Sequence, residues 1–168
     1  MIRHGSAVID FPNELEIVIR RDFEAPIGLV FDVLTKPEHV RHWGATPPDE
    51  MLECSIDLRV GGSYRSSFLT GDGEVFVIRG TYLEFEPPTR TRQTWLFEMW
   101  PDVDAVETFE LSETDGVTTF SWSLAFADAA GRAHMSGFDG EVISAGGQLD
   151  SLDAIDEILR SLLEANRA

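Results

Sequence analysis

Histidines, one cysteine and a late acidic loop are the residues here whose types can do chemistry. His39 and His42 stand three apart in HVRHWG (39–44), the spacing that places two imidazoles on one helix face. A metal site takes at least three protein ligands, with supporting partners behind them. His4, near the N-terminus, and His134, far along the chain, do not supply the third. No metal is expected, and the pair reads as the solvated side of a short helix. Trp43 differs: it ends that helix just before Gly44 and suits either a pocket wall or plain core.

In RAHMSGFDGE (132–141), His134 could exchange a proton near neutral pH, with Asp139 orienting it. The plainer reading, adopted here, has Asp139 capping the next helix and His134 in solvent. Cys54 is the only cysteine, so neither an internal disulfide nor a thiolate zinc site can form. It lies in the apolar-rich MLECSIDL, without a helix N-terminus or basic cluster to lower its pKa, and reads as a buried thiol. No Ser-His-Asp order, glycine-rich phosphate loop or supported carboxylate pair occurs. No catalytic residue is assigned and no cofactor is expected; binding is favoured over catalysis.

Charge narrows the partners. The net charge is −17, which repels phosphate backbones and anionic bilayers, so neither nucleic acid nor membrane is expected as a partner. Lys36 is the only lysine. The 168 residues, 43% hydrophobic, suffice for one domain with a real core. No apolar run approaches the roughly 18 residues of a spanning helix, and the N-terminus lacks an apolar signal core. A cytoplasmic location is expected.

The elements that must position these residues follow from periodicity. Residues 1–13 read as a flexible arm, and 14–168 as a single domain. LEIVIRRDFEA (15–25) alternates as a strand and stops at Pro26. Ile27, Val30, Phe31 and Leu34 then form a helical stripe, and Pro37 opens a second short helix with Thr35 or Lys36 at its N-cap. Strands are predicted over 51–58, 63–70, 74–86, 91–100, 103–113 and 117–127, joined by turns such as Gly61-Gly62 and the TDG preceding 117. In the last strand Phe120, Trp122, Leu124 and Phe126 share one face. From Val142 to Leu163 a helical stripe returns, through Ala145, Leu149, Leu152, Ile155, Leu159 and Leu162. Gly146-Gly147 falls inside it, as a bend, a close approach to the sheet, or a sign that the helix begins at Gln148. The result is an α+β chain: a curved antiparallel meander of about seven strands around a long C-terminal helix, with a two-helix hairpin after the first strand. The first strand lies beside the last or the second.

Several segments resemble a known family: FEAPIGLVFDVLTKPEHVRHW, SIDLRVGGSYR, GDGEVFVIRGTYLEFEPPTRTRQTW and SGFDGEVISAGGQLDSLDAI. Over about 15–163 the chain is similar to the START-like (SRPBCC) helix-grip superfamily, in the activator of Hsp90 ATPase C-terminal-domain branch. These motifs are structural. The resemblance implies a β-α-α-β(6)-α fold with a deep, mostly apolar cavity under the C-terminal helix. It also implies that Trp43 stands at the pocket mouth. Co-chaperone relatives carry an extra N-terminal domain that contributes to Hsp90 binding. About 14 residues precede the first strand here, so an Hsp90 interaction is not expected.

The expected partner is a small apolar or aromatic molecule. Trp95, Phe97, Trp100, Phe109 and Trp122, on central strands, are the principal lining residues, joined by Trp43, Tyr64, Phe68, Phe138 and Gln148. Tyr64, Arg65, Arg79, Glu98 and Gln148 are polar groups open to facing the cavity; the parity of 74–86 does not choose, because both faces carry apolar residues. The alternatives are a polyketide cyclase- or dehydratase-like acid–base enzyme and a chaperone partner. A homodimer is compatible with everything above.

Overall fold

The computed structural model describes residues 2–4, 7–136 and 145–167, with side chains over 7–133 and 149–167. Its elements are Ile2–His4 (β1), Ala7–Asp10 (β2), Glu16–Phe23 (β3), Ile27–Thr35 (α1), Pro37–Trp43 (α2), Glu50–Ile56 (β4), Ser63–Leu69 (β5), Val75–Glu86 (β6), Arg90–Phe97 (β7), Ala105–Thr114 (β8), Val117–Phe126 (β9), Ala129–Ser136 (α3) and Ala145–Ala165 (α4). Among the described residues the strands form one sheet in the order β1-β2-β3-β9-β8-β7-β6-β5-β4, every neighbouring pair antiparallel. This is the helix-grip α+β architecture. The strand read as first from the sequence, β3, pairs with the last, β9.

Hairpin chemistry makes the meander. Between β8 and β9, Thr114 faces Val117 across Asp115 and Gly116, whose φ values are 52° and 81°. Two successive positive φ angles give the tight reverse turn whose twist matches its strands, and Asp-Gly adopts them at least cost. Further along, α1 buries Val30, Phe31, Val33 and Leu34. It begins at Pro26, and the Ile27 N–H finds its acceptor in Glu113 Oε1 of β8 at 2.9 Å. That side chain satisfies a helix-end donor from across the fold. Lys36 is the N-cap of α2 and Pro37 its first residue, where a missing N–H costs nothing.

Helix α4 closes the concave face. Leu152, Ile155 and Leu159 are at most 2% exposed, each stabilising the fold by about 1.5–3 kcal/mol of apolar burial. Arg21 of β3 ties the helix to the sheet, 2.5 Å from Asp153 and 3.8 Å from Asp156. The glycine pair Gly146-Gly147 lies in the first turn of α4, which starts at Ala145.

Three expectations change. Residues 2–4 and 7–10 are not a loose arm but strands: Ala7 and Ile9 are 2% and 1% exposed, so β2 buries its inward side chains against β3's neighbourhood. These two strands extend the seven-strand meander β3–β9, so the described sheet has nine strands. The segment opening RAHMSGFDGE is helical in α3, where Asp128 accepts from the Gly131 N–H at 2.7 Å and starts the helix. Finally, the strand expected to reach Trp100 ends at Phe97, and Trp100 follows in a turn whose N–H donates to Phe97 O at 2.9 Å.

Candidate functional site

Strand alternation sorts the sheet into two faces. On the concave side stand Tyr64, Ser66 and Phe68 of β5, Ile78 and Tyr82 of β6, Gln93, Trp95 and Phe97 of β7, Glu107 and Phe109 of β8, and Trp122 and Leu124 of β9. Leu34 of α1, Val40 and Trp43 of α2, and Ser151 of α4 face them. A cavity of about 380 Å³ lies between. Gly44, Ala45, Thr46 and Asp49, all half-buried, make one rim, with Met51 and Ile56 of β4 beside them.

The aromatic side chains of the wall meet in clusters. Trp43 meets Trp122 edge-on at 6.3 Å, and Trp122 meets Phe109 at 5.8 Å. Trp95 stacks on Phe97 at 6.3 Å, and Phe97 meets Trp100 at 4.8 Å. Trp43 is oriented by its indole N–H, which donates to Val33 O at 2.8 Å. All four tryptophans of the chain line this cavity.

One polar row crosses the wall. Register aligns Tyr82, Gln93, Glu107 and Leu124 across β6 to β9. Glu107 is 8% exposed and Gln93 is 3% exposed. Gln93 Nε2 donates to Glu107 Oε1 at 2.9 Å, and Trp122 Nε1 donates to Oε2 at 2.8 Å. Burial holds the Glu107 carboxyl above its ordinary range, opposed by the bonds from Gln93 and Trp122. Burial first, and the neighbouring Glu107 second, push the Tyr64 and Tyr82 phenols well up. A carboxyl so placed has two chemical uses: neutral it donates a hydrogen bond or a proton, and ionised it is a counter-charge for a cation.

Tyr64 reaches its place because residue 80 is glycine. Tyr64 and Gly80 are partners across β5 and β6, and the Tyr64 hydroxyl donates to Thr94 O of β7 at 2.8 Å. A Cβ on Gly80 would stand 1.8 Å from Thr94 O and 2.7 Å from Tyr64 Cε1. The β6–β7 ladder opens there, and Thr94 Oγ1 takes the Thr81 N–H at 2.8 Å.

Eight of the ten sequence-predicted residues line the cavity: Trp43, Tyr64, Phe68, Trp95, Phe97, Trp100, Phe109 and Trp122. Phe138 lies outside the described residues, and so do the side chain of Gln148, which belongs to the first turns of α4, and that of His134 in α3. Asp139 is outside them too. Arg65, Arg79 and Glu98 are corrected to the opposite side. Arg65 pairs with Glu53, and Arg79 with Glu98 at 3.2 Å, all exposed. The two arginines line a second, outer cleft of about 770 Å³, which Tyr64, Trp95 and Phe126 also border. Cys54 is buried, and burial raises its pKa against a bond with Ser66 and the charge of Arg41. Among the described residues no group of three or more His, Cys, Asp or Glu side chains could hold a metal ion. No helix there is long and apolar enough to cross a membrane.

Tyr82, Gln93 and Glu107 were missed as site residues. Parity carried the signal: Ala105, Glu107, Phe109 and Leu111 alternate inward, as do Thr91, Gln93, Trp95 and Phe97. An acid or amide at an apolar position is the mark of a buried polar group.

With this geometry in view, comparisons place the chain. The model for the family "Activator of Hsp90 ATPase homolog 1-like protein" matches residues 24–159, and the chain belongs to that family. No curated protein matches it. Among solved structures, a Rhodobacter sphaeroides protein is 20% identical, with TM-score 0.82 over 93% of this chain and 99% of its own. A Nitrosomonas europaea protein is 21% identical, with TM-score 0.78 over 92% and 99%. CalU16 from Micromonospora echinospora is 25% identical, with TM-score 0.60 over 86% of this chain and 65% of its own.

Proposed function

We propose that this family member is a binding protein for a small, mainly aromatic molecule taken up between the sheet and helices α2 and α4. The observation that carries the reading is the cavity itself. Its volume of about 380 Å³ falls in the range of small-molecule sites, roughly 300–1,000 Å³, and nine aromatic residues line it. An apolar cavity of this size that stayed empty would forfeit packing along its whole lining. A flat aromatic guest restores those contacts, and the Glu107–Gln93 pair gives it an orientation.

The test uses the four tryptophans as reporters, since every one borders the cavity. 1-Naphthalenemethanol titrated into the full chain is expected to give a saturable change in tryptophan emission at one equivalent. Ser66→Phe places a ring inside the cavity from β5 and is expected to abolish that change while keeping the melting temperature. A response that never saturates, or that survives Ser66→Phe intact, overturns the reading.

A further inference from the structure

The cavity carries acid without base. Asp49 on the rim and Glu107 on the floor line it, and no lysine, arginine or histidine does so among the described residues. Glu107 receives one hydrogen bond on each oxygen, from Gln93 and Trp122. Both donors are neutral. A carboxylate offers about four acceptor positions, so two remain, and the charge has no counter-charge. Beside it, Gln93 Oε1 is buried with no donor among the described residues. The other ionisable groups near Glu107 are the phenols of Tyr64 on β5 and Tyr82 on β6, with Cys54 of β4 beyond Tyr82. None of these can carry positive charge. The lining residues of α1, α2 and α4 add no ionisable group.

What is missing is a cation with N–H donors and an apolar body. Aromatic faces are negative, so the rings that enclose Glu107 attract a cation rather than repel it. The net charge of −17 raises the local concentration of cations at the protein surface. An anion would meet two carboxyl groups and, among the described residues, no base. A pure hydrocarbon would leave Glu107 and Gln93 unsatisfied.

We propose that the cavity selects a hydrophobic amine, held as its ammonium ion against the Glu107 carboxylate within the rings of Trp43, Tyr64, Tyr82, Phe109 and Trp122. This rests on the ligand-binding reading above and names the chemical class. The ammonium N–H donates to the acceptor positions that Gln93 and Trp122 leave open on Glu107 and supplies the counter-charge.

The experiment compares three probes of one shape by calorimetry on the full chain: 1-naphthylmethylamine, 1-naphthalenemethanol and 1-naphthoic acid. The amine is expected to bind about tenfold or more tighter than the alcohol, the ratio one charge-assisted hydrogen bond supplies, and the acid weakest. Glu107→Gln is expected to remove the amine's advantage over the alcohol. Its melting curve shows whether it folds, and the order of the three probes on the unaltered chain stands without it. If the alcohol binds as tightly as the amine, or Glu107→Gln folds and keeps the preference, the amine inference fails while the cavity reading stands. If none of the three binds, both fail.

Discussion

Glu107→Gln also tests the electrostatics of the cavity floor without any ligand. Burial raises the Glu107 pKa in the folded chain above its unfolded value, which is about 4.3. Between those two values the folded state holds a proton that the unfolded state has released. Unfolding then releases a proton, so stability falls as pH rises through the window, and the lost stability stays lost above it. One proton corresponds to about 1.4 kcal/mol per pH unit. For 168 residues, the unfolding entropy of about 2.1 cal/mol/K per residue converts that slope to about 4 °C per pH unit. Glutamine is neutral at every pH. With its carbonyl accepting from Trp122 and its amide donating to a turned-over Gln93, it keeps both hydrogen bonds and satisfies Gln93 Oε1. The assay is the melting temperature of both chains from pH 4 upward, read as their difference, which cancels the other acidic groups. The difference is expected to widen in the variant's favour by about 4 °C per unit through the window and then level off. Two parallel curves would refute the reasoning, because Glu107 would then ionise alike folded and unfolded.

Three further outcomes follow from the packing. Trp43→Ala removes a 6%-exposed indole and should cost about 3–5 kcal/mol, seen as a fall in denaturant midpoint; Trp43→Phe should keep most of that stability and weaken uptake of 1-naphthalenemethanol. Gly80→Ala drives a Cβ into the Thr94 carbonyl and should cost about 1–3 kcal/mol or more, by thermal melting. Cys54, buried and with a raised pKa, should react with a disulfide reagent at pH 8 only as fast as the chain opens, and at the full thiol rate in denaturant.

Much of the fold was legible because local signals agreed with the tertiary ones. The Ile27–Leu34 stripe, Pro37 at a helix start and the Leu149–Leu159 stripe each state their element in a few residues, and alternation put Phe109, Trp95 and Trp122 on one face. β2 was not legible: four residues are too few to establish a period, and its burial depends on β3 lying beside it. Arg79 was ambiguous because β6 is apolar on both faces; the pairing of Arg79 with Glu98, like that of Arg65 with Glu53, puts it on the convex side. The pairing of Gln93 with Glu107 needed the β7–β8 register, which no single strand carries. The same holds for Tyr64, whose hydroxyl acts two strands away across Gly80.

The most direct test of a ligand cavity is where a guest lands. In a ¹H–¹⁵N spectrum the four indole N–H signals come from Trp43, Trp95, Trp100 and Trp122, all on the cavity wall. Adding 1-naphthalenemethanol is expected to shift them, with Trp43 and Trp122 moving most, and to saturate at one equivalent. Shifts confined to the outer cleft around Arg65, Arg79, Trp95 and Leu96, with the Trp43, Trp100 and Trp122 indoles unmoved, would contradict the account.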